Sequence, residues 1–127
     1  MPILFLLVIF SSSCSDDKNI VEEISGSYNV DEECSSAFFD YVISITGASG
    51  GSDRIVIANY GDFGVAVTAT VNGNFIEIDD QTFNIDNQSV NIFNGLGEIS
   101  GNTFTSNYAY SLDGGESELC TFSATKI

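Results

Sequence analysis

The sequence predicts an all-β domain, an antiparallel up-and-down meander that closes into a small eight-stranded barrel. Apolar and polar residues alternate with period two over residues 24–127, and turn residues interrupt the alternation every eight to twelve residues or so. No stretch offers a helical stripe longer than a turn or two. A β-sandwich is the alternative, but a long meander exposes two edges unless its terminal strands pair, which favours the barrel.

The elements follow one another with short turns. Residues 31–40 are predicted to form a connection with one helical turn around Cys34, and Asn72-Gly73 is a strong hairpin signal. Gly95 and Gly97 indicate a bulge or bend between two strands or within one long kinked strand. The predicted strands are residues 24–30, 41–46, 54–59, 65–71, 75–78, 82–85, 89–99, 103–111 and 119–126.

The first residues have the features of an export signal. Residues 2–10 form an unbroken apolar run, too short to span a hydrocarbon core of about 30 Å as a helix but suited to a signal peptide. Small residues then lead to Cys14, and this stretch resembles the lipobox of bacterial lipoproteins, in which the cysteine is acylated. A cleaved secretory signal with an unmodified cysteine is the alternative.

This resemblance implies three segments. They are a signal peptide over 1–13, a lipidated Cys14 with a polar tether over 14–23, and a folded domain over 24–127. The Ser-Asp-Asp after Cys14 is similar to lipoproteins sent to the outer membrane of Gram-negative bacteria, some of which use acidic residues to reach the cell surface. Because two or three acyl chains such as palmitate anchor durably, we expect a monomer held in the outer membrane, in either leaflet.

The charge balance excludes nucleic acid as a partner. The chain has 18 acidic residues, three basic residues and no His, for a formal net charge of −15. This charge also disfavours docking on an anionic membrane surface. Aromatic and β-branched residues are plentiful, so we expect a folded domain.

Cys34 and Cys120 are predicted to form a disulfide. An exported chain meets an oxidising compartment, and these two cysteines remain once Cys14 is lipidated. In a closed meander the end of the first strand lies beside the start of the last, which would bring the two cysteines together. Two unpaired buried thiols are the alternative.

The domain resembles the small lipocalin-like lipoproteins of Gram-negative bacteria. The resemblance rests on Gly26-Ser27-Tyr28 in the first strand, the all-β meander, the glycine-aromatic turn at 61–64 and the late cysteine, and it covers residues 24–127. It implies the lipocalin-like barrel architecture alone. The family's ligand-binding residues are not carried over, because Tyr28 stands where lipocalins have Trp.

The function of such a barrel depends on its interior. Eight strands leave room for packed side chains or for one small ligand. One hypothesis is that aromatic residues fill the interior; the other is that some of them line a cavity for a small apolar molecule, with Tyr108 and Tyr110 as candidate contacts. The interior residues expected are Phe75, Phe83, Phe93, Phe104, Tyr108 and Phe122.

An interaction or inhibitor module that binds an envelope protein is the second functional hypothesis. Tyr60 and Phe63 lie in a glycine-rich turn, and exposed aromatic residues of this kind can anchor in a partner's pocket. The alternative is that both rings fold over the end of the barrel.

Catalysis is not expected, and neither a cofactor nor a metal is predicted. The chain has no His and no glycine-rich loop leading into a helix, so nucleophilic triads, common zinc sites and phosphate cradles lack their parts. The carboxylate pairs Glu77/Asp79 and Glu116/Glu118 are the type that glycoside hydrolysis uses, but a solvated strand face explains them. A calcium site would need several residues to converge without EF-hand spacing, namely Asp79, Asp80, Asp86 and Asn84 or Asn87.

Overall fold

The structure, a computed structural model, describes residues 16–35, 37–48 and 53–127. The predicted signal peptide and Cys14 lie outside these residues. A helix precedes nine strands, and one turn of 3-10 helix, Tyr60–Asp62, follows the third strand. The bounds are α1 Asp16–Ile24, β1 Gly26–Cys34, β2 Ala37–Gly47, β3 Arg54–Ala58, β4 Ala66–Asn72, β5 Phe75–Ile78, β6 Gln81–Ile85, β7 Gln88–Ser100, β8 Thr103–Leu112 and β9 Ser117–Lys126.

The strands form a closed antiparallel barrel. Their order is β5-β4-β3-β2-β1-β9-β8-β7-β6, and an additional pairing of β5 with β7 closes the sheet. Eight strands make up the barrel, and β6 is an extra strand that pairs with the first half of β7. The predicted all-β meander and its closure into a barrel are therefore confirmed.

The first strand is longer than the sequence predicted. β1 continues to Cys34 and β2 starts at Ala37, so the connection predicted over 31–40, with its helical turn, is wrong. The cause is alternation that continues through acidic residues, since β1 buries every second side chain up to Cys34.

A helix stands where an irregular tether was expected. α1 places Ile24 in the core, and Ile20 and Val21 pack partly buried against it. The Tyr28 hydroxyl donates a 2.6 Å hydrogen bond to the Ile24 carbonyl oxygen, which ties the helix to β1. In the described part of the chain, no helix has the length and apolarity needed to cross a membrane.

Side chains of the inward faces fill the middle of the barrel. Phe104 packs edge-to-face against Tyr28 and Phe122, with ring centroids 6.3 and 5.3 Å apart. Among the aromatic residues predicted for the interior, Phe104, Tyr108 and Phe122 are buried there. Aromatic rings thus pack against one another in the central interior.

The other three predicted interior residues lie elsewhere. Phe75 is 52% exposed, because β5 turns Ile76 and Ile78 inward. Phe93 is half-buried and points outward, since it lies opposite Ala109 on the outer face just before a bulge in β7. Phe83 packs partly buried against the core from the extra strand β6.

The bulge in β7 confirms the bend expected from the two glycines. The pairing of β7 with β8 shifts register between Phe93 and Leu96, and β7 is one long strand that changes partner from β6 to β5. A Cβ on Gly97 would lie 2.5 Å from Cε1 of Phe104, so only glycine leaves room for that ring.

The predicted disulfide closes the barrel. Cys34 and Cys120 lie directly opposite each other in the β1–β9 register, with Cα atoms 4.2 Å apart, and their sulfurs are bonded. The bridge joins residues 86 positions apart and is buried on the inner face. It therefore locks the first strand to the last.

We expect Cys34→Ala/Cys120→Ala to lower the free energy of unfolding by about 2 to 5 kcal/mol, because the bridge restricts a long loop in the unfolded chain. Urea denaturation followed by circular dichroism measures this, and the m-value should rise as the unfolded chain expands. The control is Glu33→Ala/Thr121→Ala, the neighbouring pair on the outer face. An equal loss in both variants would contradict the prediction.

Candidate ligand-binding cleft

The two ends of the barrel differ. The end where β1 begins carries α1 and is called the helix end. The opposite end, where β1 ends at Cys34, carries the turn between β3 and β4 and is called the cleft end. The buried Glu32 lies toward the cleft end, two residues before Cys34.

Glu32 is the central residue of this end. It lies on the inner face of β1 and is 3% exposed, and it is the one buried carboxylate among the described residues. The hydroxyls of Tyr41 and Tyr108 donate hydrogen bonds to its two carboxylate oxygens, the latter at 2.7 Å. The Cys34 sulfur, which has no hydrogen in the disulfide, lies 3.2 Å from Oε2.

The turn over residues 59–64 folds inward instead of projecting into solvent. Asn59, in the left-handed conformation, donates through its amide to the Val42 carbonyl oxygen at 3.0 Å and accepts from the Gly64 N–H at 2.9 Å. Tyr60 is fully buried, and its ring lies 4.9 Å from that of Tyr108. The Asn59 side chain thus holds the turn against the barrel.

A hydrogen-bond chain fixes the Tyr60 ring. The Ser106 hydroxyl donates to the Leu96 carbonyl oxygen at 3.0 Å, so its single proton is used there. The Tyr60 hydroxyl, 2.8 Å from Ser106 Oγ, is therefore the donor to Ser106. Tyr60 therefore packs in the interior against Tyr108 and Phe122 and takes no part in an exposed surface.

A cleft of about 190 Å³ lies beside Glu32 and the 61–63 part of this turn. Phe63 forms one wall by packing its ring edge-to-face on Tyr110, with centroids 5.1 Å apart. Gly61 has a φ of +68°, and a Cβ there would lie 2.7 Å from both the Phe63 ring and the Tyr108 hydroxyl. The residues that line the cleft are Glu32, Cys34, Phe39, Gly61, Asp62, Phe63, Tyr108 and Tyr110.

The electrostatics of the cleft are one-sided. Burial raises the pKa of Glu32, the hydrogen bonds from Tyr41 and Tyr108 oppose this rise, and the charge of Asp62 adds to it. Burial and the adjacent Glu32 carboxylate raise the pKa of Tyr108, so its hydroxyl stays protonated as a donor. None of the described residues that line the cleft is basic.

The described basic side chains are engaged elsewhere. The Arg54 guanidinium lies 2.7 Å from Asp79, and Lys126 donates to the Glu23 carbonyl oxygen at the helix end. The charge of Glu32 therefore has no cationic partner among the described side chains. Hydrogen bonds from two tyrosine hydroxyls compensate this charge instead.

The predicted contact residues separate into two groups. Phe63, Tyr108 and Tyr110 come together in the cleft, whereas Tyr60 is buried in the interior. Both rings of the turn, Tyr60 and Phe63, fold against the barrel and do not project into solvent. Glu32, Phe39 and Tyr41 were not predicted as site residues. The signal that could have found Glu32 is its alternation with Cys34, because an inward Cys34 implies an inward Glu32.

The acidic residues considered for catalysis or calcium do not converge. Glu77 is exposed on the outer face, and Asp79 accepts from Arg54 and from the Thr68 hydroxyl, which lowers the pKa of Asp79. Asp86 and Asn87 form the turn between β6 and β7, both at positive φ.

One metal-type trio occurs in the described ranges. The ligand atoms of Glu32, Cys34 and Cys120 lie within 4.8 Å of one another. Both sulfurs are used in the disulfide, so the trio offers no thiolate while the bridge is intact.

A larger groove of about 500 Å³ runs along the outer face of β1, β2, β8 and β9. It is lined mainly by outward side chains such as Phe38, Asp31 and Asp40, and a hydrogen bond with Asp40 raises the pKa of Asp31. Glu32 also lines this groove, but its carboxylate lies on the inner face of β1, where Tyr41 and Tyr108 donate to it. The smaller cleft, with its buried and oriented carboxylate, is the better candidate site.

Comparison with known proteins agrees with this architecture. A redesigned beta barrel of solved structure matches over 84% of this chain and 94% of that chain, with a TM-score of 0.52 and 10% sequence identity. The fold is an eight-stranded antiparallel β-barrel. Neither a protein-family model nor a curated protein sequence matches the chain. At this identity the likeness concerns the fold alone.

The burial of Glu32 predicts a pH-dependent stability. A raised pKa means that the folded state binds the proton more tightly, so this contribution is complete below the ordinary value of 4.5 and is lost as pH rises through the folded-state pKa. Glu32→Gln is neutral throughout. We therefore expect the variant to gain stability relative to wild type as pH rises above 4.5, measured by urea denaturation.

The matched control is Glu33→Gln, which removes the neighbouring carboxylate on the exposed outer face of β1. Groups common to both proteins cancel in the comparison with wild type. A difference that is constant with pH for Glu32→Gln, or the same pH dependence in the control, would contradict burial as the cause.

Proposed function

We propose that this chain is a lipid-anchored, non-catalytic protein of the cell envelope that binds a small ligand in the cleft end of its barrel. The observation that carries the proposal is the cleft in which Glu32, oriented by Tyr41 and Tyr108, faces aromatic walls. Ligand sites are typically concave and mostly apolar, with a few placed polar groups.

The ligand of this proposal is smaller than a lipid chain. Tyr28, Tyr60, Phe104 and Phe122 pack the central interior, and the cleft itself measures about 190 Å³. Phe39, which is 43% exposed, and the partly buried Phe63 supply apolar contact at the mouth. These features favour a compact ligand with an apolar or aromatic body held near the surface.

The anchoring part of the proposal rests on the sequence. The apolar run, the small residues before Cys14 and the acidic residues after it support acylation and an outer-membrane location. The resemblance to small lipocalin-like lipoproteins supports the same setting. Docking of a partner protein through the 60–64 turn is less favoured, because Tyr60 is fully buried.

A neutral probe tests ligand binding in the cleft. We expect indole, titrated while amide NMR signals are followed, to shift the signals of Gly61, Phe63 and Tyr110. Phe39→Ala should weaken binding by about tenfold, because it removes one aromatic contact. Phe38→Ala is the matched control, since Phe38 is the adjacent residue, 80% exposed on the outer face. Shifts confined to the outer groove, or no shifts, would count against the cleft.

Acylation predicts a defined change at Cys14. Mass spectrometry of the protein from a bacterial membrane should show a mature N-terminal Cys14 carrying acyl chains, and Cys14→Ser should leave the protein unprocessed and unacylated. Cys34→Ala/Cys120→Ala is the control, because those cysteines are joined to each other. Detection of an unmodified Cys14 thiol in the wild type would overturn the anchoring proposal.

A further inference from the structure

The least explained group in the molecule is the buried carboxylate of Glu32. A charged group removed from water is costly unless an opposite charge or several hydrogen bonds compensate it. Glu32 has two tyrosine donors, and no basic residue is present in the described part of the cleft lining. Asp62, at the same cleft, adds a second negative charge and makes the compensation poorer.

The tyrosines orient Glu32 without neutralising it. Tyr41 donates to one carboxylate oxygen and Tyr108 to the other, so each oxygen is fixed by one hydroxyl. Each hydroxyl has one proton, which these bonds use. The two hydroxyls therefore have no proton left for an anion or a carbonyl group in the cleft, whereas the lining of the cleft still offers negative charge.

The aromatic walls of the cleft also favour a positively charged ligand. Phe39, Phe63, Tyr108 and Tyr110 line the space beside Glu32, and aromatic faces attract ammonium groups within about 6 Å of the ring centre. The walls are apolar enough to accept methyl groups on such a nitrogen. The chain's net charge of −15 also concentrates cations around the molecule.

We propose that the cleft binds a small organic cation, with a primary or methylated ammonium group seated between the Glu32 carboxylate and the aromatic rings of Phe39, Phe63 and Tyr110. This inference rests on the proposed ligand-binding function and names the class of ligand. The cation supplies the opposite charge that Glu32 lacks. The tyrosine hydroxyls hold the carboxylate in place before the ligand arrives, which limits the entropy lost on binding.

A pair of matched probes tests the charge requirement on the whole protein. Choline and 3,3-dimethyl-1-butanol have the same shape, but only choline is charged. In amide NMR titrations we expect choline to bind at Gly61, Phe63 and Tyr110 about tenfold or more tightly than the neutral alcohol. Glu32→Gln, which keeps the size of the side chain, should remove this preference, whereas Glu33→Gln should retain it.

The outcomes separate this inference from the proposed function. Equal binding of both probes in the cleft would overturn the inference that the ligand is a cation, and the proposed ligand-binding function would stand. Absence of choline binding while indole still binds would do the same. A choline preference that survives Glu32→Gln, with the variant's circular dichroism spectrum unchanged, would also overturn the role of Glu32.

Discussion

The antiparallel register between the first and last strands is the constraint on which the rest of the structure depends. β1 pairs with β2 on one side and β9 on the other, so its inward side chains are surrounded by the barrel. This register sets Cys34 opposite Cys120 and Glu32 opposite Phe122. The same alternation that forms the covalent closure therefore also carries a carboxylate into the interior.

Glu32 is placed where an apolar residue would serve stability better. An apolar side chain of similar size would need no hydrogen bonds, whereas Glu32 needs those that the hydroxyls of Tyr41 and Tyr108 donate to it. Asn59, with its left-handed backbone, and Gly61, at positive φ, shape the turn that covers this group. Local rules are relaxed at several positions around one carboxylate, which is the pattern expected of a functional site.

Much of the fold could be predicted from the sequence, and the site only in part. Period-two alternation predicted the strands, and the exposed edges of a long meander predicted the closure that brings the cysteines together, because both signals are local or follow from topology. Glu32 was missed because acidic residues in a row indicate solvent, and only a strand that continues to Cys34 turns one of them inward. The outward position of Phe75 was missed because the face of a four-residue strand is set by its neighbours Ile76 and Ile78.

The position of α1 has a consequence for how the molecule would be oriented. α1 lies at the opposite end of the barrel from the cleft, and β1 spans the distance between them, about 25 to 30 Å for nine residues. Because α1 follows the segment that contains Cys14, acyl chains there would fasten the helix end toward the bilayer. The mouth of the cleft would then face outward into the aqueous space, where dissolved molecules can enter it freely.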